Sequence, residues 1–287
     1  MDEEPSAAAA DAVVACARAG EPDRYLAALL APPPARPHLL ALAAFASELA
    51  RVPALVRHEP AMGAIRLQWW RDALEASDQW ALTGNPVADA LRASIDACQL
   101  PCAVLVEAID ARELDLKRRG LADEAALAAY LWKSEGALFA LAAGILSGGR
   151  EVDLRPAALA GGQAYGLARL LTGLPYALAR GRVPLPQSRL DAANVSSAEL
   201  LCGDEGDKLK ALLANLCAEA REALARSRKQ VANLPRLARP AFLPLALVET
   251  YLRALERPAR SVLRAPAEVG PLVRVWRIAV AHWLGRI

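Results

Sequence analysis

Leu167, Leu170, Leu171, Leu174 and Leu178 recur at i, i+3, i+4, i+7 and i+11, the spacing of one face of an α-helix. Strand-type alternation is almost absent from the chain, and its apolar residues, 55% of the total, are largely Ala and Leu, both strong helix formers. Together these features predict an all-α fold. Pro-rich breaks at 32–34, 53, 101, 184–186 and 265–271 divide the chain into segments. The periodicity predicts helices near 7–19, 22–30, 37–51, 60–80, 86–98, 102–119, 123–146, 155–180, 197–231, 240–254 and 268–285. No repeat and no long polar linker interrupts them, so one large domain is expected over 21–287, with 1–20 as a peripheral N-terminal helix.

Composition excludes several functions. A net charge of +2 without a run of like charges gives no nucleic-acid surface. The five cysteines, at 16, 98, 102, 202 and 217, lack zinc spacing and read as buried free thiols of a reducing compartment. The start, MDEEPSAAAADAVVACARAG, is acidic, unlike a signal or transit peptide, and no window reads as a transmembrane span. The expected location is therefore cytoplasmic or peripheral on the inner membrane, and the expected source a bacterial relative rather than an imported protein. Gly161 to Gly166 is neither a P-loop nor a dinucleotide fingerprint, and no G-x-S-x-G is present. His38, His58 and His282 have no ligand spacing, and Asn194-Val195-Ser196 is a sequon only in a compartment this chain shows no sign of entering.

The leucine face lies in an unusual stretch. Between Asp153 and Asp191 there is no carboxylate, yet there are five arginines. Opposite the leucines stand Arg169, Thr172, Tyr176 and Arg180, with Pro175 predicted to kink the helix before Gly181-Arg182-Val183-Pro184-Leu185-Pro186. Upstream, Asp23-Arg24-Tyr25-Leu26 opens a run that passes Glu48 and reaches Ile65-Arg66-Leu67-Gln68-Trp69-Trp70-Arg71-Asp72-Ala73-Leu74. These segments, with Tyr130 to Leu138 (YLWKSEGAL) and Arg239 to Pro244, resemble the squalene/phytoene synthase family.

That resemblance implies a single all-helical isoprenoid synthase domain with a central cavity. It also implies two cavity helices bearing aspartates that hold Mg²⁺ against a prenyl diphosphate, whose leaving charge hard cations neutralise. This chain departs from that pattern. On the first helix Glu48 is followed by Ala50, Arg51 and Val52, and on the second the acids are missing. One acid cannot make a paired site, and arginine repels a cation, so no metal site is expected. The departure is similar to the branch of the family that includes a respiratory complex I assembly factor.

If activity remains, Glu48, Asp110 and Asp115 are the candidate carboxylates. Asp115 matches a recurrent family acid, although with Lys117, Arg118 and Arg119 it also reads as a charged helix end. Arg66, Arg71, Arg180 and Arg182 are candidates for a metal-free anion pocket, with Arg169 and Tyr176 on the second helix. Local ion pairs, such as Arg71 with Glu75, are the simpler reading. Trp69 and Trp70 either line the cavity or fill the core, Trp69 sharing a helix face with Ile65 and Ala73. The segment 271–287 carries Trp276, Trp283 and three arginines; core packing is favoured over a membrane-surface helix.

The function expected is a non-catalytic assembly or binding factor whose partner is a membrane-complex protein or an isoprenoid-like ligand. The alternatives are a Mg²⁺-dependent head-to-head prenyl diphosphate synthase and an isoprenoid or quinone carrier. Mg²⁺ is a cofactor only on the synthase reading.

Overall fold

Alanine- and leucine-rich segments separated by proline and glycine form α-helices throughout the chain. The computed structural model describes residues 7–55, 59–76, 82–117, 120–148, 150, 152–257 and 261–287, and among these there is no strand. In chain order the helices are α1 (Ala7–Gly20), α2 (Pro22–Leu29), α3 (Arg36–Leu55), α4 (Pro60–Glu75), α5 (Pro86–Cys98), α6 (Cys102–Glu113), α7 (Glu124–Leu131) and α8 (Ala137–Ser147). They continue with α9 (Arg155–Thr172), α10 (Leu174–Leu178), α11 (Gln187–Ala193), α12 (Ser197–Cys202), α13 (Asp207–Ala232), α14 (Val248–Leu255) and α15 (Pro271–Leu284). Leu114–Leu116 and Arg239–Leu247 are 3₁₀ segments, and Trp132–Gly136 forms a π-helical turn between α7 and α8.

Local chemistry sets many of the helix ends. Pro22, Pro86, Pro156, Pro175 and Pro271 occupy first turns, where a missing N–H costs nothing. Asn85 and Asp123 accept hydrogen bonds from the first turns of α5 and α7. Ser196, the last residue of the Asn-Val-Ser sequence, forms a reciprocal capping box with Glu199.

The core is continuous. α3 packs against α1, α2 and α5, while α9 lies along α13 on one side and the π turn on the other. By length and composition α3 is the one described helix apolar enough to cross a membrane. Here it is a core helix, with Leu39 through Leu49 all buried. α1 adds Val13 and Ala17 to the same core.

The π turn approaches α9 because glycines face each other there. A methyl group on Gly162 would sit 2.5 Å from Gly136 Cα, a backbone clash that no rotamer change relieves. Gly→Ala in a helix otherwise stabilises by about 1 kcal/mol through propensity. Overpacking opposes this with about 1–3 kcal/mol, the upper end applying where backbone meets backbone. Gly162→Ala is therefore expected to destabilise the protein in urea unfolding. A stabilised variant would refute the close approach.

Three sequence expectations change. The helix expected over 155–180 ends at Thr172, and Pro175 lies in the first turn of α10 rather than inside one kinked helix. The leucine ladder survives the break, with Leu167, Leu171, Leu174 and Leu178 buried. The segment expected over 197–231 is interrupted at Gly203, whose φ of +76° suits glycine, and α11 precedes it. The cysteines are free, but Cys217 alone is fully buried and Cys202 is exposed. His58, Arg118 and Arg119 lie outside the described residues.

Candidate functional site: a buried arginine–carboxylate network

α2 carries charge into the core at its first turn. Glu21, Asp23 and Arg24 are all buried, next to Ala27 and Ala28 on the same helix. From α9, Tyr165 and Arg169 enter the same region, on the side where Gly162 and Gly166 admit the π turn. That turn delivers Glu135, also buried. Small residues and a π turn thus bring charges from three distant segments together, and π turns recur where a helix must re-aim a side chain.

The contacts form one chain. Arg169 Nη1 donates to both Glu21 oxygens, at 2.6 and 2.7 Å, and Arg24 donates to Glu21 at 2.9 Å and to Glu135 at 2.8 Å. Glu135 also lies 3.8 Å from Arg169 and 3.9 Å from Arg112. Arg112 continues to Asp115 at 3.3 Å, where the Tyr130 hydroxyl and Arg182 also donate. Nearby, Tyr165 and Tyr251 donate to Asp23 Oδ2 at 2.8 and 2.6 Å, and Arg274 of α15 pairs with Oδ1 at 2.9 Å. Arg24 also stacks 5.2 Å from the rings of Phe139 and Tyr165.

Electrostatics show which groups are held charged. Burial alone would raise the Glu21 carboxyl, but Arg169 and Arg24 outweigh it and hold it below the ordinary glutamate range. Burial dominates at Asp23 and pushes its carboxyl up, against Arg274, Tyr251 and Tyr165. Burial works against the charged forms of Arg24, Arg112 and Arg169 as well, yet their carboxylates hold all three guanidinium groups firmly protonated. Two spaces beside the network, one next to Arg24 and one next to Asp115 and Arg182, are each about 20 Å³, the size of a single water.

The candidate carboxylates do not fit a Mg²⁺ pair. Glu48, buried on α3, is bonded by Arg51 and Arg66 at 3.1 Å each. Asp110 is taken by Arg71, and Asp115 by Arg112, Tyr130 and Arg182. Among the described residues no group of three His, Cys, Asp or Glu side chains could hold a metal ion. The expected anion pocket is not assembled either, since Arg66, Arg71, Arg169 and Arg182 are each engaged by carboxylates. Arg71 pairs with Asp110 and Glu113 of α6, not with Glu75. Asp115, read as part of a charged helix end, is an interior acid. Arg180 and Tyr176 are exposed beyond the helix break.

The tryptophans divide. Trp70 is fully buried, edge-on to Phe45 at 5.2 Å, on the face that also buries Leu67 and Ala73. Trp69 is 37% exposed and Ile65 62%, so Trp69 does not share the core face of Ala73. Sequence reading missed Glu21, Asp23, Arg24, Arg112, Glu135 and Arg274 as site residues. One signal was available: Asp23-Arg24 and Glu135 each lead directly into apolar runs, where a charge must find a partner or stay out of the core.

The sequence profile described as squalene/phytoene synthase matches residues 17–276. The chain belongs to that family. It is 29% identical over 235 residues to NADH dehydrogenase (ubiquinone) complex I, assembly factor 6, of Rattus norvegicus, covering 82% of this chain and 70% of that protein. A phytoene synthase of Thermus thermophilus is 30% identical over 156 residues, 53% of this chain and 52% of that enzyme. In structure, a dehydrosqualene synthase matches with a TM-score of 0.78 at 16% identity, covering 98% of this family member and 99% of that chain. A squalene synthase of Alicyclobacillus acidocaldarius matches with a TM-score of 0.68 at 20% identity, covering 87% and 94%. These structural likenesses establish the isoprenoid synthase fold.

Proposed function

We propose that this protein is a non-catalytic member of its family that acts as an assembly or partner-binding factor at a membrane surface. One observation carries the reading: the interior acids Glu21, Glu135 and Asp115 are all engaged by guanidinium groups of the chain itself. A diphosphate-ionising site needs interior carboxylates free to share divalent cations. Here the chain's own arginines supply the positive charge that neutralises these acids. Freeing an acid for Mg²⁺ strands a buried guanidinium, at a cost of about 3–5 kcal/mol for each pair broken. The likeness to complex I assembly factor 6 supports the same reading, because it covers about four-fifths of the chain against about half for the phytoene synthase. The partner is then a subunit or intermediate of a membrane complex.

The test is direct. Purified protein with farnesyl or geranylgeranyl diphosphate, Mg²⁺ and NADPH is expected to release no diphosphate and to form no C30 or C40 product. Metal-dependent turnover that disappears in Glu48→Gln or Asp115→Asn would overturn the proposal in favour of a prenyl synthase. An isoprenoid or quinone extracted from the purified protein would support a carrier instead. Affinity capture from solubilised membranes is expected to recover respiratory-complex subunits, and recovery of none would count against the assembly role.

A further inference from the structure

α15 is held to the fold by one narrow edge. Ile278 and Ala281 are buried against the Arg239–Leu247 segment, and Arg274 reaches inward to Asp23. The opposite face is open along the whole helix. Leu272, Trp276 and Trp283, at i, i+4 and i+11, are 85%, 69% and 86% exposed, flanked by exposed Val275 and Leu284. Core packing, the use favoured from sequence, accounts for only two apolar residues of this helix. Two tryptophans in one outward apolar stripe are far from the scattered exposure of single hydrophobics that a soluble surface tolerates.

The charge pattern selects the occupant. From Val269 to Ile287 there are three arginines and no Asp or Glu. Arg277 is exposed beside the apolar stripe on the helix, and Arg286 is exposed just past the Gly285 cap at its end, positions where an interfacial helix carries cations. Beside the helix runs an open groove of about 420 Å³ that includes Arg236, Arg239, His282, Trp283, Leu284 and Arg286, with no acidic side chain in its lining. A second copy docking by this face would set cations against cations. An anionic lipid surface satisfies both features, taking the tryptophans at headgroup depth and the arginines against phosphates.

We infer that α15 docks this protein on anionic phospholipid bilayers, with Trp276 and Trp283 as anchors and Arg277 and Arg286 as the electrostatic contacts. This deepens the proposed membrane-side role and rests on it only for location. Vesicle binding involves neither a partner subunit nor a prenyl substrate, so its failure is separable from failure of that role.

The experiment is co-sedimentation of the full chain with phosphatidylcholine vesicles made with and without phosphatidylglycerol. Binding is expected only with the anionic lipid, and it should weaken as salt rises. Trp276→Ala with Trp283→Ala is expected to reduce partitioning about tenfold or more, from the apolar surface lost. Arg277→Gln with Arg286→Gln should reduce it about tenfold and flatten the salt dependence. All four side chains belong to exposed residues, so melting temperatures should be unchanged. Absence of binding by the native chain, or native-level binding by the double tryptophan variant, overturns the inference. A dimer in solution that the tryptophan variant dissolves would assign the face to a second copy and overturn it equally.

Discussion

Glu21→Gln is expected to lower the unfolding free energy by about 3 kcal/mol at neutral pH, which for a chain of this size is a fall of roughly 5 °C in melting temperature. Glu21 is 1% exposed and accepts from both Arg169 and Arg24. The glutamine keeps the size and an acceptor oxygen but removes the charge, leaving Arg24 and Arg169 with Glu135 as their remaining acidic partner. The pH dependence fixes the interpretation. The Glu21 carboxyl is held below its ordinary value of 4.5, so its contribution is complete above that value and is lost as pH falls through the lower folded value. The gap between native protein and variant should thus be widest near neutrality and close in acid. Asp23 has the opposite sign, since burial raises its carboxyl and the penalty for ionising it fades in acid. Both proteins share that term, and the difference between them isolates Glu21. A gap that does not change with pH would show that the loss arises from packing and not from charge.

Trp70→Ala should cost about 4 kcal/mol, and Trp69→Ala only about 1 kcal/mol, although the two are neighbours. Trp70 is fully enclosed and meets Phe45 edge-on, so truncation opens a cavity between α3 and α4. Trp69 is partly in solvent and loses mainly its edge contact with Trp70, at 5.1 Å. Urea midpoints at an unchanged denaturant slope would measure both. If Trp70→Ala proves too unstable to purify, Trp70→Phe keeps the comparison readable, at a smaller loss that should still exceed that of Trp69→Ala. Equal losses at the two positions would mean that the assigned core face of α4 is wrong.

Most helices were legible because their signal is local. Proline and capping residues fix where α2, α5 and α15 begin, and the leucine spacing of 167–178 persists across a helix break that the sequence pattern did not reveal. The break itself was hard to see, because Gly173 and Pro175 suit a kinked helix as well as two helices. α15 was misassigned for a different reason. Amphipathicity shows that a helix has an apolar face, but not whether another element covers it. Here α15 is attached by the edge bearing Ile278 and Ala281, which leaves Trp276 and Trp283 outside.

The site divides in the same way. From the residues alone came the helical fold class and the departure from the family's paired aspartates at Glu48 and along 154–190, since both depend only on residue type and spacing along one helix. Tertiary structure decided the rest. Within the acid-free stretch, Arg169 and Arg182 are met by Glu21, Glu135 and Asp115 from elsewhere in the chain. Those acids lie 34 to 148 residues from the arginines they meet, as the separations 169 − 21, 169 − 135 and 182 − 115 show. Helical periodicity constrains neighbours three or four residues apart and says nothing about pairs so remote. For Glu135 the meeting depends on the facing glycines that bring the π turn against α9, a contact that exists only once the helices have packed.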